Sequence, residues 1–270
     1  MEPSPDLPDW VPEGKGGLPS LAYRDLGSRD ADAVVLLHSL GTDQRLWSPQ
    51  LAGLTESHRV VTVDSRGHGE SGWTGSVTLA DWTADLGRLL DHLELADAAL
   101  VGLSMGGVQA LAFAVAHPQR ARSLVLADTF AELPPEVASA KIDAMTAQVQ
   151  QLGMPGWADT YVAETFTEPL AEGAELVRSA LARMSVLPYL AAVRACFGVR
   201  LGDQLGAVRV PTLVLWGDRD AKTPRGLSEQ LVEGIPAAVL QEIPDAGHLA
   251  NLENPKAFLD AVQEHLVATP

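Results

Sequence analysis

Three side chains of this sequence could together carry out acyl transfer: a serine in a glycine-bounded turn, a loop histidine and a loop aspartate. The serine is Ser104, in Ala99-Leu100-Val101-Gly102-Leu103-Ser104-Met105-Gly106-Gly107. An aliphatic run enters a stretch with helical spacing, and a G-x-S-x-G pattern sits at the junction. A strand that turns this sharply into a helix strains the serine backbone and leaves no room for side chains two residues before and after it. Gly102 and Gly106 meet that steric demand. The turn lifts Ser104 Oγ above the sheet, near the positive end of the next helix. Such five-residue patterns also arise by chance in glycine-rich loops, and the strand–turn–helix context is what sets this one apart.

A serine hydroxyl is a poor nucleophile without a base. Of the seven histidines, His117 ends a helix before Pro118, where the dipole favours a cation. His92 and His265 lie in helical segments and are expected at the surface, and His58 lies in a polar turn. His248 differs: Asp245-Ala246-Gly247-His248-Leu249 is a loop between the last strand and the last helix, from which a base can reach back to Ser104.

The acid is sought in Trp216-Gly217-Asp218-Arg219-Asp220. Asp220 lies deeper in the loop, better placed to turn back towards a histidine; Asp218 is the alternative and would otherwise cap the turn. The chosen carboxylate would hold His248 in the useful tautomer and stabilise its imidazolium. An oxyanion hole needs two backbone N–H groups. Met105 supplies one, and the loop after residues 34–37 the other, through Leu40 or, failing that, Ser39, which is also a candidate for substrate contact. His38, and Arg66 and His68 in the run 64–71, are read as shaping their loops.

These residues need a scaffold, and the hydrophobic pattern describes one. Residues 34–38, 59–64, 98–102, 123–128, 212–216 and 239–243 are aliphatic runs of buried-strand character. Between them, Leu79, Trp82, Leu86, Leu89, Leu90 and Leu93 recur at spacings of three and four, as do Val108, Leu111, Ala112 and Val115. Strands alternating with helices predict an α/β fold, a mostly parallel sheet flanked by helices. The alternation fails over 131–200, where helical spacing follows helical spacing without a strand. The expected organisation is a leader at 1–17, a core at 18–130 and 201–270, and an inserted helical cap at 131–200.

Composition narrows the partners. With 19 Lys+Arg against 35 Asp+Glu the formal charge is −16 over 270 residues, a field that repels phosphate backbones and anionic lipid heads. Nucleic-acid and membrane partners are therefore not expected. One cysteine excludes an internal disulfide and a cysteine-based structural zinc site, and no cofactor or metal is expected. The N-terminus carries prolines and acids rather than a basic start and an apolar run, which reads as cytoplasmic.

In combination, His38-Ser39-Leu40-Gly41, the run 64–71, Gly102 to Gly107, Gly217 to Asp220 and Gly247-His248 resemble the α/β-hydrolase family over nearly the whole chain. The resemblance implies that fold and a cofactor-independent serine hydrolase acting on a small ester or lactone. Within the family, residues 38–43 with Trp47, and 102–107, look like the 3-oxoadipate enol-lactonases. The cap departs from them: Thr165-Phe166 stands where they usually carry Trp-Phe, and Cys196-Phe197-Gly198-Val199 where they tend to carry an aspartate. An enol-lactone carries a carboxylate, for which Arg178, Arg183 and Arg194 of the cap are the candidate cations. The rival readings are a carboxylesterase or secondary-metabolite tailoring hydrolase, and a hydrolase-fold protein that binds a ligand without turnover.

Overall fold

A computed structural model describes residues 8–13, 18–168, 173–236 and 238–269. The chain order is β1 (Asp9–Val11), β2 (Leu21–Leu26), β3 (Ala33–Leu37), α1 (Ser48–Thr55), β4 (Arg59–Val63), α2 (Leu79–His92), β5 (Ala98–Leu103), α3 (Met105–Ala116) and β6 (Ala121–Ala127). There follow α4 (Pro135–Thr165), α5 (Ala174–Arg183) and α6 (Val186–Phe197), then β7 (Thr212–Gly217), α7 (Arg225–Gly234), β8 (Ala238–Ile243), α8 (Ala250–Glu253) and α9 (Pro255–Ala268).

The strands form one sheet in the order β1-β2-β4-β3-β5-β6-β7-β8, antiparallel at β1/β2 and β2/β4 and parallel elsewhere. Every residue of β3, β4 and β5 is buried. Side chains alternate between faces along a strand, so the centre of the sheet is covered on both sides. Strand order reverses between β3 and β5: the chain moves one way from β3 to β4 and the other way from β5 onwards. Loops leaving the carboxyl ends of those two neighbours diverge and open a crevice, where ligands of open α/β sheets bind. Ser104 ends β5, and the loop 38–43 ends β3.

The six aliphatic runs are all strands, shifted by a residue or two at their ends. Two strands escape the sequence reading. β2 carries Arg24 and Asp25 in an otherwise apolar run, and Asp25 is satisfied from the neighbouring strand by a bidentate pair with Arg59 at 2.9 and 2.8 Å. β1 pairs at the sheet edge within the stretch expected as a leader, with Trp10 exposed; the leader positions 1–7 and 14–17 lie outside the described residues. β8 was expected to be fully buried, but it is an edge strand with Val239 58% exposed, because nothing pairs beyond it.

Between β6 and β7, among the described residues, run α4, α5 and α6 and no strand. α4 bends at Gly153 (φ 67°), two residues before Pro155, and its second half packs through Trp157, whose indole N–H donates to Tyr189 Oη of α6 at 2.8 Å. An antiparallel bridge between Glu132 and Arg200 joins the chain as it enters and leaves this segment. Among the described residues, no single helix is long and apolar enough to cross a membrane.

Candidate functional site

Ser104 has φ 55° and ψ −113°, the strained conformation that the turn from β5 into α3 demands. Its surroundings hold it there. Its N–H donates to Ala127 O at 2.8 Å, while its carbonyl accepts from Thr129 Oγ1 at 2.7 Å and Val108 N at 3.1 Å. A Cβ on Gly102 would run into the Gly106 backbone, and one on Gly106 into the Leu37 carbonyl, both far inside van der Waals contact. The two glycines thus let β5, α3 and the end of β3 meet.

The structure brings Ser104, His248 and Asp220 together from three separate elements. Ser104 Oγ lies 3.0 Å from His248 Nε2, and His248 Nδ1 lies 2.9 Å from Asp220 Oδ2. All three residues are buried. A carboxylate at Nδ1 keeps the proton on that nitrogen, which leaves Nε2 free to accept from the serine hydroxyl. Asp220 Oδ1 accepts from the backbone N–H of Lys222 at 2.7 Å and of Thr223 at 3.1 Å, and Thr223 Oγ1 donates to Oδ2. Burial alone would raise this carboxyl, but the His248 imidazole and the Thr223 hydroxyl and amide outweigh it and hold Asp220 below the ordinary carboxylate range.

Asp218 is placed elsewhere: it is exposed, and its carboxylate accepts from Ala246 N at 3.2 Å. That bond, with Arg219 N donating to Ala246 O at 2.9 Å, ties the aspartate loop to the histidine loop. Glu253 adds a tie to the cap segment, its carboxylate accepting from Gly247 N at 3.1 Å and Thr167 N at 2.8 Å.

Leu40 and Met105 flank Ser104 from the two sides of the crevice, and Leu40 lines the cavity next to it. Among the described residues, neither amide donates to a protein acceptor. Met105 is the first residue of α3, where N–H groups have no partner within the helix.

His38 accepts from Ser65 N at Nε2 (3.0 Å), so its Nδ1–H donates to Ser39 O (2.8 Å), and both nitrogens are spent on loop backbone. Arg66 forms a bidentate pair with Asp85 at 2.6 and 2.8 Å. The His68 ring lies 5.1 Å from that of His38, tilted by 55°, and burial together with that neighbour pushes it down to about 3. An unfolded histidine takes its proton near about 6.5. The folded chain keeps His68 neutral, so its contribution to stability is complete above that value and is lost as pH falls towards 3. Between pH 7 and 5 the parent is expected to lose about 2 kcal/mol more than His68→Gln. Urea midpoints at the two pH values check this, and parallel losses would refute it.

Sequence reasoning missed several residues at the site. The cavity beside Ser104 and His248 is lined by Phe130, Met145, Tyr161 and Phe197 and by two lysines, Lys141 of α4 and Lys222 of the aspartate loop. Burial pushes the Tyr161 phenol up to about 12, which keeps it a neutral hydroxyl. The helical spacing from Lys141 to Met145 and the position of Lys222 two residues after Asp220 were the available signals. Asp128, at the end of β6 with φ 47°, is fully buried and accepts from Gly217 N at 2.8 Å. Burial and the nearby Asp220 charge raise its carboxyl well above the ordinary range.

Arg178, Arg183 and Arg194 do not line this cavity. Arg178 pairs with Asp159 at 2.6 Å, Arg183 lies 3.6 Å from Asp43 with its side chain 62% exposed, and Arg194 donates to Leu190 O at 3.2 Å from an exposed position. Their helices turn apolar residues inward, Val177 and Leu181 on α5 and Tyr189 and Val193 on α6, and that phase carries the arginines outward. Ser39 is buried, and its side chain interacts with the Tyr161 hydroxyl at the cavity. Cys196 is buried and its thiol is pushed up to about 12, which removes its nucleophilic character. No group of three His, Cys, Asp or Glu able to hold a metal ion occurs among the described residues.

Comparison with known proteins agrees with this architecture. The chain is 32% identical to 3-oxoadipate enol-lactonase 1 of Acinetobacter baylyi over 248 residues, covering 89% of this chain and 90% of that one. It is also 32% identical to a putative carbamate hydrolase, RutD, of Variovorax paradoxus, covering 88% of this chain and 92% of that one. The crystal structure of the enol-lactonase from Burkholderia xenovorans LB400 superposes with a TM-score of 0.88 at 30% identity, covering 96% of this chain and all of that one. Residues 34–261 match the alpha/beta hydrolase family, which spans β3, the elbow at Ser104 and the loops of Asp220 and His248, and the chain belongs to that family.

Proposed function

We propose that the protein is a serine hydrolase of a small ester or lactone, working through an acyl-enzyme. Ser104 Oγ attacks the carbonyl carbon while His248 Nε2 takes its proton and Asp220 steadies the resulting imidazolium. The N–H groups of Met105 and Leu40 hold the oxyanion. His248 then gives the proton to the leaving oxygen, or to the ring alkoxide of an opened lactone. It next activates a water that releases the acid and restores Ser104. The observation that carries this reading is the unbroken chain Ser104 Oγ–His248 Nε2 (3.0 Å) and His248 Nδ1–Asp220 Oδ2 (2.9 Å).

For the substrate, the likeness to two named enol-lactonases favours an enol-lactone over a simple ester. A fluorophosphonate probe is expected to label Ser104 in the parent and not in Ser104→Ala, read by mass spectrometry of the labelled peptide. Unlabelled parent protein would instead favour a ligand-binding role. Hydrolysis of 3-oxoadipate enol-lactone should exceed that of p-nitrophenyl acetate by about a hundredfold or more in kcat/KM, because specificity is a difference in transition-state binding. Equal rates would turn the assignment to a general carboxylesterase.

A further inference from the structure

We propose that Lys141 and Lys222 form an anion subsite in the cavity beside Ser104, and that the substrate carries, besides its ester or lactone, a carboxylate held between these two ammonium groups. The proposal rests on the serine-hydrolase reading only for the identity of the reacting group; the subsite itself stands on the side chains that line the cavity.

The two lysines reach one apolar cavity from opposite sides. Lys141 comes from the first half of α4 in the cap, and Lys222 from the core loop that also supplies Asp220. No carboxylate lines the cavity, since Asp220 is occupied behind His248. Lys141 makes no ion pair among the described residues, and its Nζ lies over the Phe197 ring, 5.8 Å from its centre. Lys222 Nζ lies over the Tyr161 ring at 5.0 Å and reaches Glu164 only at 3.9 Å, a carboxylate half exposed to water.

In a chain of net charge −16, cations readily find carboxylates, as Arg59, Arg66 and Arg178 do. Two cationic side chains lining one apolar cavity, with no carboxylate in its lining, repel each other, and the Lys222 ammonium is poorly solvated there. Burial lowers the Lys222 ammonium, and the Lys141 charge adds to that effect. An anion placed between them relieves both costs, whereas a neutral ligand relieves neither. The aromatic faces of Phe197 and Tyr161 hold the ammonium groups in place without competing for the anion, because a ring offers no formal charge. One lysine is on the cap and the other on the core, so an anion bound between them also ties the cap down over Ser104.

The test uses the full chain as Ser104→Ala, so that binding is read without turnover. Monomethyl succinate and methyl butyrate, alike in size and differing in one carboxylate, are titrated by NMR shift changes. The acid is expected to bind at least about tenfold tighter, the effect of a charge-assisted contact in a low-dielectric site. Adding Lys141→Gln or Lys222→Gln should remove most of that preference, while Lys222→Arg should keep it. Circular dichroism and thermal melting confirm that each variant folds, and the arginine variant covers the case in which a glutamine variant does not. Equal affinities for the two esters, or a preference that survives both glutamine substitutions, would overturn the subsite. Probe labelling of the parent at Ser104 reads the hydrolase assignment separately: binding preference without labelling removes the enzyme and keeps the subsite, and labelling without preference does the reverse.

Discussion

Ser104→Ala is expected to lower kcat/KM for any ester or lactone the protein hydrolyses by at least about a thousandfold, or about 4 kcal/mol of transition-state stabilisation. The substitution deletes the hydroxyl that the proposed mechanism uses as nucleophile, Oγ, 3.0 Å from His248 Nε2. His248 and Asp220 would keep their own contact at 2.9 Å, and the amides of Leu40 and Met105 would remain, so residual rate would come from those groups acting on water. The fold should survive. Ser104 is tethered through its backbone to Ala127, Thr129 and Val108, and alanine fills the same strained conformation no worse than serine. Leaving His248 Nε2 without a donor costs about 1 kcal/mol, a melting shift of a few degrees. Steady-state kinetics and a thermal melt together decide the matter: near-parental turnover in a folded variant would transfer the nucleophile to another residue.

The second large effect is on stability. Gly106→Ala is expected to destabilise the chain by about 3 kcal/mol or more and to abolish hydrolysis with it. The new Cβ would be driven into the Leu37 carbonyl and also crowd that of His38, backbone atoms that no rotamer change can move aside. Yielding means separating α3 from the end of β3, the two elements that carry Met105 and Leu40. Gly87→Ala is the matched control. Gly87 lies within α2 with open space where its Cβ would go, so alanine there should be neutral or stabilise by up to about 1 kcal/mol. Urea unfolding at equal m-values compares the two. A Gly106→Ala variant as stable as Gly87→Ala would show that the elbow tolerates a methyl group and would sink the steric account of the motif.

The parts of this protein that were legible beforehand share one property: their cause is local. A strand that turns into a helix within three residues needs Gly102, Ser104 and Gly106 at those spacings whatever surrounds it, so the elbow was readable from nine consecutive letters. The five strands from β3 to β7 were readable because residues covered on both faces are aliphatic nearly throughout. β1 and β2 were not, since Asp9, Arg24 and Asp25 interrupt their short apolar stretches although the backbone still pairs. β8 was readable as a strand but not as an edge, because its hydrophobicity does not say which of its faces or sides is left unpaired.

The site divides along the same line. His248 and Asp220 could be singled out because chain order and loop position restrict which side chains can be brought beside Ser104, and the structure brings these two there. Their separations of 144 residues between His248 and Ser104 and 28 between His248 and Asp220 are closed only by the sheet. The cation of the cavity was sought in Arg178, Arg183 and Arg194 and lies instead in Lys141 and Lys222. Charge type was the wrong guide there: direction decides, and direction on a helix is a matter of which residues turn inward. The sequence alone therefore determined the fold class and the strained, glycine-flanked turn of Ser104, since these depend on local sterics and on the period of hydrophobic burial. Only the tertiary structure decided what the cavity presents to a substrate, because that surface is assembled from cap and core segments far apart in the chain, and a side chain's spacing does not reveal which way a packed helix faces.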